Sequence, residues 1–371
     1  MIVRKPTALL SNANKTFKLM KKIKGMEKFP PSGLTEPSGG KRVKIGIDPT
    51  ANRLHLGHLV GLLCAKELQE NGARVTVVIG EFTAQLGDPT GVDETRPILK
   101  EIEVSENAEK IKEVINRILN GKAEIKSNKD WLGKMSSMEL LKACSLFSST
   151  ELLGREGFQK RIERGEKVGM HELIVPILQG LDSVNLNTEI EIGGADQLFN
   201  FKVSRDLQRR MGQKPEDCLL CPLIKRKNGV KMSKSKQNCI FLDEKPEQLF
   251  GQMMSCTDGE ALEWGELFNV QFDQANMLDN KKLLASKITE EVWGKEKAEA
   301  SKRHFEETIQ KKIVRPNEIK EIKNETLLKE TARLKEISLS EARRLIAQGG
   351  VKLNGVKISP HDPKIDRKSV V

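Results

Sequence analysis

Two short strings of residues have the types and spacing for phosphate chemistry: HLGH at His55 to His58, and KMSKS at Lys231 to Ser235. The histidines open an apolar run, LVGLLCAKEL, that predicts a helix. Imidazoles at a helix N-terminus lie beside unpaired backbone N–H groups and the positive end of the helix dipole, which stabilise an anion. Lys231 and Lys234 follow an Asn-Gly turn, so we expect them on a loop beside departing pyrophosphate. The strings predict cleavage of ATP at its α-phosphate, with both groups stabilising charge rather than acting as nucleophiles.

The residues around these strings indicate the scaffold that must position them. KIGID (Lys44 to Asp48) and RVTVVIG (Arg74 to Gly80) predict two strands, and the HLGH helix lies between them. Strand, helix and strand at this spacing predict an α/β fold, a Rossmann-like doubly wound parallel sheet with its ligand crevice beyond the carboxyl ends of the strands. The loops GIDPT and GEFTAQLGDPTG fall at those ends, and NTEIEIGGADQ predicts a further strand that ends on a Gly pair.

The rest of the chain is mostly helical by pattern. Residues 27 to 42, rich in Pro and Gly, predict a lead-in loop, and residues 101 to 166 predict helices. Helices return after Phe241 through about Thr308, with Met253 and Met254 as core filler, and the charged stretch KKIVRPNEIKEIKNE predicts a linker. The final segment, SLSEARRLIAQGGVKLNGVKI, predicts a Ser-capped helix and two short strands around an Asn-Gly turn, a small α+β module.

Composition limits the class of protein. At 371 residues, with 37% hydrophobic and 31% charged residues, the chain is an ordinary globular protein of two or three domains. No apolar run approaches the roughly 20 residues that span a bilayer, so we expect no membrane segment. Six scattered cysteines favour a reducing compartment. CLLC at Cys218 to Cys221 could be half a zinc site, but no second ligand pair lies nearby; we expect a buried strand and no metal site.

Basic residues are concentrated at both ends of the chain, whose net charge is +11. Residues 311 to 371 contain 15 Lys or Arg against eight Asp or Glu, which fits a polyanionic partner but equally a solvated helix surface. The first 26 residues contain seven basic residues and no acidic one. This composition fits an organelle transit segment or the N-terminal arm of a cytoplasmic enzyme, and its Lys-rich rather than Arg-rich character favours the arm.

Taken in order, the motifs resemble those of bacterial-type tyrosyl-tRNA synthetases, a family of class I aminoacyl-tRNA synthetases. The match runs through KIGIDPTANRLHLGHL, IGEFTAQLGDPTG, HELIVPILQGLDS, EIGGADQLFN and KMSKS, over most of residues 40 to 260. The tail from Thr331 resembles the αL-type RNA-binding module shared with a small-subunit ribosomal protein. The resemblance implies a tyrosine-tRNA ligase that uses ATP with Mg, tyrosine and tRNA, usually as a homodimer. It divides the chain into a basic N-terminal arm (1–42), a class I catalytic domain (43–245), a helical anticodon-side domain (246–325) and an αL-type module (326–371), which we expect to be truncated.

The resemblance also implies roles for individual residues. The group implied to stabilise the phosphates during catalysis is Thr50, His55, His58, Arg96, Lys231 and Lys234. The group implied to bind ATP is Gly46, Asp48, Gly57, Gly194, Asp196, Lys231, Ser233 and Lys234. For the amino acid, Gln197 matches a contact to the carboxylate, Asp88 and Gln179 lie near the ammonium, and Asp182 lies at the phenolic hydroxyl; the full set is Lys44, Asp88, Val175, Gln179, Asp182 and Gln197. Taken singly, Asp88 fits a turn residue better and Gln179 a hydrogen-bonded core residue; their joint placement favours the amino-acid pocket.

Four positions depart from the family pattern. Val175 and Leu181 stand where aromatic residues are usual, Ala195 replaces a hydroxyl residue, and Val92 replaces a basic one. The chain contains no tyrosine. Two alternatives therefore stay open: the same adenylation chemistry with another aromatic amino acid, or an RNA-binding paralogue that has lost catalysis. The intact HLGH and KMSKS strings argue against the paralogue, which would need neither.

Overall fold

The computed structural model describes residues 23–30, 40–86, 99–226, 229, 232, 239–273, 276–310, 327–335, 337–347, 351–353 and 356–357. The chain divides into two compact units, with the boundary between Lys302 and Arg303. Among the described residues, no helix is both long enough and apolar enough to cross a membrane.

One sheet organises the first unit. Its strands are β1 (Glu27–Phe29), β2 (Arg42–Ile47), β3 (Arg74–Ile79), β4 (Glu124–Ser127), β5 (Ile190–Gly194) and β6 (Asp217–Cys221). In space they lie in the order β1, β6, β5, β2, β3, β4. Neighbouring strands are parallel, except that β1 runs antiparallel to β6. The doubly wound α/β prediction is confirmed, as is the prediction that CLLC lies in a buried strand: Cys218 and Cys221 are 0% and 4% exposed.

Two local expectations were wrong. We predicted a loop for residues 27 to 42, but Glu27–Phe29 forms the edge strand β1 and β2 already begins at Arg42. Within the stretch predicted to be helical, Glu124–Ser127 pairs in parallel with β3. Both strands are short and partly exposed, so they lack the apolar run or clean alternation that identifies a strand in sequence.

Helices cover the sheet and extend from it. The first unit contains α1 (Leu56–Glu70), α2 (Glu101–Ile118), α3 (Lys129–Leu132), α4 (Ser137–Cys144), α5 (Ser149–Leu153), α6 (Glu156–Glu163), α7 (Met170–Leu186), α8 (Leu198–Arg210), α9 (Pro246–Met254), α10 (Asp258–Leu267), α11 (Met277–Trp293) and most of α12 (Lys295–Phe305). Short 3-10 turns follow β3 at Thr83–Leu86 and β5 at Ala195–Gln197. Helix α1 is apolar over most of its surface because it crosses between β2 and β3, where its leucines are buried.

The helices α9 to α11 pack on the same unit as the sheet. Lys66 on α1 forms an ion pair with Glu291 on α11, with 3.0 Å between Nζ and Oε2. Met253 is fully buried, as predicted for core filler, whereas Met254 is only partly buried. Residues 246 to 302 thus share one compact unit with the strands. A separate anticodon-side domain bounded at 245 and 325 stays a prediction.

The second unit contains the predicted helix and hairpin. It includes α13 (Leu327–Lys335), α14 (Leu339–Ala347) and the antiparallel pair β7 (Lys352–Leu353) and β8 (Val356–Lys357). Ser338 caps α14: its Oγ accepts from the Glu341 N–H at 3.2 Å, and the Glu341 carboxylate accepts from the Ser338 N–H at 3.1 Å. The Ser cap is confirmed. Residues 1–22 and 31–39 of the expected arm (1–42) lie outside the described residues, as do the linker and the Asn354-Gly355 turn.

Candidate active site

A cleft of about 490 Å³ opens at the carboxyl ends of β2, β3 and β5, where a doubly wound sheet binds its ligands. It brings together thirteen residues that the sequence predicted for the site: Lys44, Gly46, Asp48, Thr50, His55, Gly57, His58, Val175, Gln179, Asp182, Gly194, Asp196 and Gln197. Five predicted site residues lie outside the described residues: Asp88, Arg96, Lys231, Ser233 and Lys234. The substituted loop position, Val92, also lies outside them. Met232, the described residue of KMSKS, is buried and lines the same cleft.

The HLGH string begins α1 as predicted. His55 is the N-cap, and its Nδ1 accepts from the Gly57 N–H at 3.1 Å. The His58 Nδ1 accepts from the His55 N–H at 3.1 Å, and the ring centroids are 4.0 Å apart. Each Nδ1 accepts a backbone proton, so a neutral ring carries its own proton on Nε2 and donates from that atom. A Cβ at position 57 would lie 2.9 Å from the His55 ring, so any other residue there would displace that ring.

The segment after KMSKS is joined to the start of α1. Leu56 N donates to Ile240 O at 2.9 Å, and Leu242 N donates to Leu54 O at 2.9 Å. The Arg53 guanidinium reinforces this contact: it donates to both carboxylate oxygens of Asp243 at 2.7 Å and to Glu244 at 2.7 Å. It also stacks 4.0 Å from the Phe241 ring. These contacts couple the HLGH turn to residues 239 to 245. Sequence reasoning did not single out Arg53.

The carboxyl end of β2 places Asp48 in the cleft. Its Oδ1 accepts from the Thr83 hydroxyl at 2.8 Å. The carboxylate lies against Gly80 at the end of β3, where any Cβ would collide with it. This close approach explains the glycine after RVTVVI. Thr50 follows in the next turn and lines the cleft with His55.

Helix α7 supplies one wall of the amino-acid side of the cleft. Val175, Gln179 and Asp182 are separated by four and three residues, so they lie on one face of the helix. The Gln179 amide is held from both sides: Nε2 donates to Glu191 Oε1 at 2.9 Å, and Oε1 accepts from Asn200 Nδ2 at 2.9 Å. Val175 is buried and offers no hydrogen bond at the ammonium side of the predicted pocket.

Asp182 is a buried carboxyl with two neutral donors. Trp131 Nε1 donates to Oδ1 at 2.8 Å, and Asn128 Nδ2 lies 3.5 Å from Oδ2. Burial raises the pKa of Asp182 to about 7, although Lys44, Trp131 and Asn128 all favour the ionised form. No local pattern singles out Asn128 or Trp131, because α3 reaches α7 only through the tertiary fold.

The sequence predicts Lys44 as a substrate ligand, but in the structure its ammonium group contacts buried protein groups. Its Nζ is 2.9 Å from Glu191 Oε1, 2.6 Å from Ser183 Oγ and 3.1 Å from the Gln179 carbonyl oxygen. Lys44 and Glu191 are each 1% exposed and lie opposite each other in the β2–β5 register. The one sequence signal for this pair is a charged residue inside each of two otherwise apolar strands, KIGI and IEI.

A doubly wound sheet with paired imidazoles at its first helix and a buried polar pocket on α7 fits a nucleotide-using synthetase of class I. Comparison with known families agrees: the family model described as class I tRNA synthetases (W and Y) matches residues 37–327, and an S4 domain model matches residues 331–363. The tyrosine-tRNA ligase of Francisella tularensis is 40% identical over 341 residues, covering 87% of this chain and 85% of that protein. The tyrosine-tRNA ligase of Aquifex aeolicus is 36% identical, covering 88% and 86%.

Solved structures support the fold. A C-terminally truncated mitochondrial tyrosyl-tRNA synthetase from Coccidioides posadasii superposes with a TM-score of 0.61 at 18% identity, covering 77% of this chain and 89% of that chain. A tyrosyl-tRNA synthetase from Archaeoglobus fulgidus gives 0.59 at 18% identity, covering 78% and 99%. The chain belongs to the class I tRNA synthetases, within the bacterial-type tyrosyl-tRNA synthetase family.

Proposed function

We propose that the chain is a tyrosine-tRNA ligase. The tyrosine carboxylate attacks the α-phosphate of ATP, the bond to pyrophosphate breaks, and tyrosyl-adenylate forms. The terminal ribose hydroxyl of tRNA then takes the tyrosyl group, and AMP leaves. The observation that carries the proposal is the placement of Gln179 and Asp182 on one face of α7, in the same cleft as His55 and His58. Family membership supports it.

The phosphate side works by orientation and charge stabilisation. His55 and His58 donate from Nε2 to ATP oxygens at the N-terminus of α1, where the helix dipole adds to their effect. Thr50 donates its hydroxyl to the same phosphates. Asp48, with the backbone around Gly46, Gly57, Gly194 and Asp196, surrounds the adenosine. Arg96, Lys231, Ser233 and Lys234 complete this side by family resemblance.

The amino-acid side selects the substrate. Gln179, with Asp88 by resemblance, binds the ammonium, and Gln197 binds the carboxylate or its adenylate. The Asp182 carboxylate accepts a hydrogen bond from the phenolic hydroxyl. Val175 contributes an apolar wall where the family usually offers a hydroxyl, so amino-acid affinity depends more heavily on the remaining polar contacts.

Mg²⁺ belongs with the ATP phosphates rather than with a protein cage. This ion favours oxygen ligands, keeps several waters and binds through substrate phosphates. The described residues of the cleft offer imidazoles and hydroxyls at the phosphate side, and no group of three or more His, Cys, Asp or Glu residues that could hold a metal occurs in the described part of the chain. The ion would neutralise charge on the departing pyrophosphate.

The second unit binds tRNA. The S4 match and four exposed basic side chains support this: Arg333 and Lys335 on α13, and Arg343 and Arg344 on α14. We also propose a homodimer, supported by family membership and by the exposed apolar residues Met138 and Leu141 on α4, each 61% exposed. A cytoplasmic location is supported by the bacterial origin of the relatives.

ATP-pyrophosphate exchange, measured with each of the twenty amino acids and without tRNA, tests the proposal. We expect exchange with tyrosine at least about a hundredfold faster than with phenylalanine, because phenylalanine brings no hydroxyl to the buried Asp182 carboxylate. A preference for another amino acid would redirect the assignment to that substrate. Absence of exchange with all twenty would favour the RNA-binding paralogue.

A further inference from the structure

A network of buried polar side chains lies beneath the amino-acid end of the cleft. It extends from β2 through α7 and β5 to α8 and the residue before β6, and its members are Lys44, Gln179, Ser183, Glu191, Asn200, Ser204 and Glu216. All but Gln179 are at most 2% exposed. Groups buried this deeply require partners, and a buried charge requires a countercharge.

Lys44 has no spare donor for a substrate. An ammonium has three N–H groups, and three protein acceptors surround it: Glu191 Oε1, Ser183 Oγ and the Gln179 carbonyl oxygen, all within 3.1 Å. Burial alone would lower the pKa of Lys44, but the nearby carboxyls of Glu191, Glu216 and Asp182 raise it. Lys44 therefore stays charged and acts on its neighbours rather than on a ligand.

Glu191 links this charge to Gln179. Its Oε1 atom accepts from both Lys44 Nζ and Gln179 Nε2, each at 2.9 Å, and Ser183 Oγ lies 3.4 Å from its Oε2. Asn200 Nδ2 holds the other end of the Gln179 amide. Both ends of that amide are thus assigned: the nitrogen faces Glu191, and the oxygen accepts from Asn200 and keeps a second lone pair that can accept from an ammonium.

The network is electrically balanced when Glu216 carries a proton. Ser204 Oγ lies 2.7 Å from Glu216 Oε1 and 3.0 Å from Ser183 Oγ, but its single proton can be donated to one of them. Burial raises the pKa of Glu216 well above its usual range, and the charge of Glu191 raises it further. One ammonium, one carboxylate and one carboxylic acid then leave no net charge, so Lys44 and Glu191 are each other's countercharge.

We propose that Lys44 is a positioning residue for amino-acid binding: its buried ion pair with Glu191 fixes the Gln179 amide in the orientation that receives the substrate. The proposal rests on the proposed function, in which Gln179 binds the amino-acid ammonium. Lys44 thereby sets the affinity for the amino acid, and the ATP side of the cleft does not depend on it.

The test is a charge-balanced pair of variants. Lys44→Met leaves Glu191 buried without a countercharge, so Glu191 either takes a proton or turns away, and Gln179 loses its anchor. The double variant Lys44→Met/Glu191→Gln removes both charges and keeps an amide oxygen that can accept from Gln179. Lys41→Met is the matched control, since Lys41 faces Glu189 across 3.9 Å in a partly exposed pair three residues earlier.

Pyrophosphate exchange gives KM for the amino acid, KM for ATP and kcat for each variant, and thermal unfolding gives Tm. We expect Lys44→Met to raise the amino-acid KM about tenfold or more, the effect of losing one hydrogen bond to a charged group, with the ATP KM within about twofold. The double variant should return the amino-acid KM to within about threefold of wild type. Lys41→Met should match wild type.

Two results would overturn the proposal. One is an unchanged amino-acid KM in Lys44→Met. The other is a double variant that fails to fold or whose amino-acid KM is raised as much as in Lys44→Met. If Lys44→Met itself does not fold, the amino-acid KM of the double variant alone decides whether the proposal holds. Wild-type exchange tests the proposed function separately, because all variants are assayed with whichever amino acid the wild type activates.

Discussion

At the scale of single residues, Asp182 has the property most easily tested. Its carboxyl is buried, it receives a Trp131 N–H at 2.8 Å, and burial raises its pKa to about 7. The charged groups around it are Lys44, which favours ionisation, and Asp48, which opposes it. The fraction of ionised Asp182 therefore changes in the ordinary range of assay pH. As the pH rises through about 7, the carboxyl changes from a neutral acid to an anion, which a further hydrogen-bond donor stabilises more strongly.

Tyrosine supplies that donor and phenylalanine does not. Withholding one hydrogen bond from a buried carboxylate costs more than withholding it from a neutral carboxyl group, so selectivity should increase with pH. We expect the ratio of kcat/KM for tyrosine to kcat/KM for phenylalanine to rise about fivefold between about pH 6 and about pH 8. Pyrophosphate exchange measures it. Asp182→Asn is the control and should give a low ratio with no such rise; a flat wild-type ratio would argue against Asp182 as the group that reads the hydroxyl.

At the scale of secondary structure elements, the contact between the HLGH turn and residues 239 to 245 matters for the chemical step. Arg53 is 30% exposed at its side chain, and a single surface ion pair there would contribute little. Arg53 instead spans two carboxylates and an aromatic ring, so it restrains both elements at once. Without Arg53, the HLGH turn and residues 239 to 245 would be held less rigidly against each other on the phosphate side of the cleft.

We expect Arg53→Ala to lower kcat for pyrophosphate exchange about tenfold, because small misplacements of catalytic groups are costly. The KM for tyrosine should stay within about twofold, since Arg53 does not touch the α7 pocket. Arg42→Ala is the matched control: Arg42 also forms an ion pair, with Glu189 at 3.3 Å, but in an exposed position. A parallel rise in the tyrosine KM, or an equal effect of the Arg42 change, would mean that Arg53 acts on overall stability alone.

The elements also show what the sequence could and could not predict. Local apolar patterns predict the strands KIGID and RVTVVIG and the HLGH helix, because each signal lies within a few residues. The Ser338 cap of α14 is likewise predicted by a local signal, a Ser followed three residues later by a Glu. The Lys44–Glu191 pair joins residues 147 positions apart, and it depends on which strand lies beside β2. Asn128 and Trp131 likewise reach Asp182 from α3 through the fold. Long-range register is not encoded in any local pattern.

At the scale of the whole molecule, amino-acid activation and tRNA binding are assigned to different units of the chain. The catalytic cleft lies entirely within the first unit, whereas the S4 match and the basic side chains of α13 and α14 lie in the second. Ala342 and Ile346 are buried on one side of α14, which leaves Arg343 and Arg344 exposed on the other. Exposed arginines bind phosphates through charge, so their contribution should depend strongly on salt and not on the amino acid.

We therefore expect Arg343→Ala/Arg344→Ala to leave tyrosine-dependent pyrophosphate exchange without tRNA within about twofold of wild type, because both residues belong to the second unit and the cleft residues to the first. The KM for tRNA in aminoacylation should rise about tenfold at moderate salt, and the slope of log affinity against log salt should become shallower by about one to two. The matched control is Lys110→Ala/Lys122→Ala, which removes two exposed charges from the first unit. If the arginine variant keeps both its tRNA KM and its salt slope, α14 does not contact tRNA phosphates. If exchange without tRNA falls as well, the two units do not act independently. The assignment of amino-acid activation and tRNA binding to separate units is then wrong.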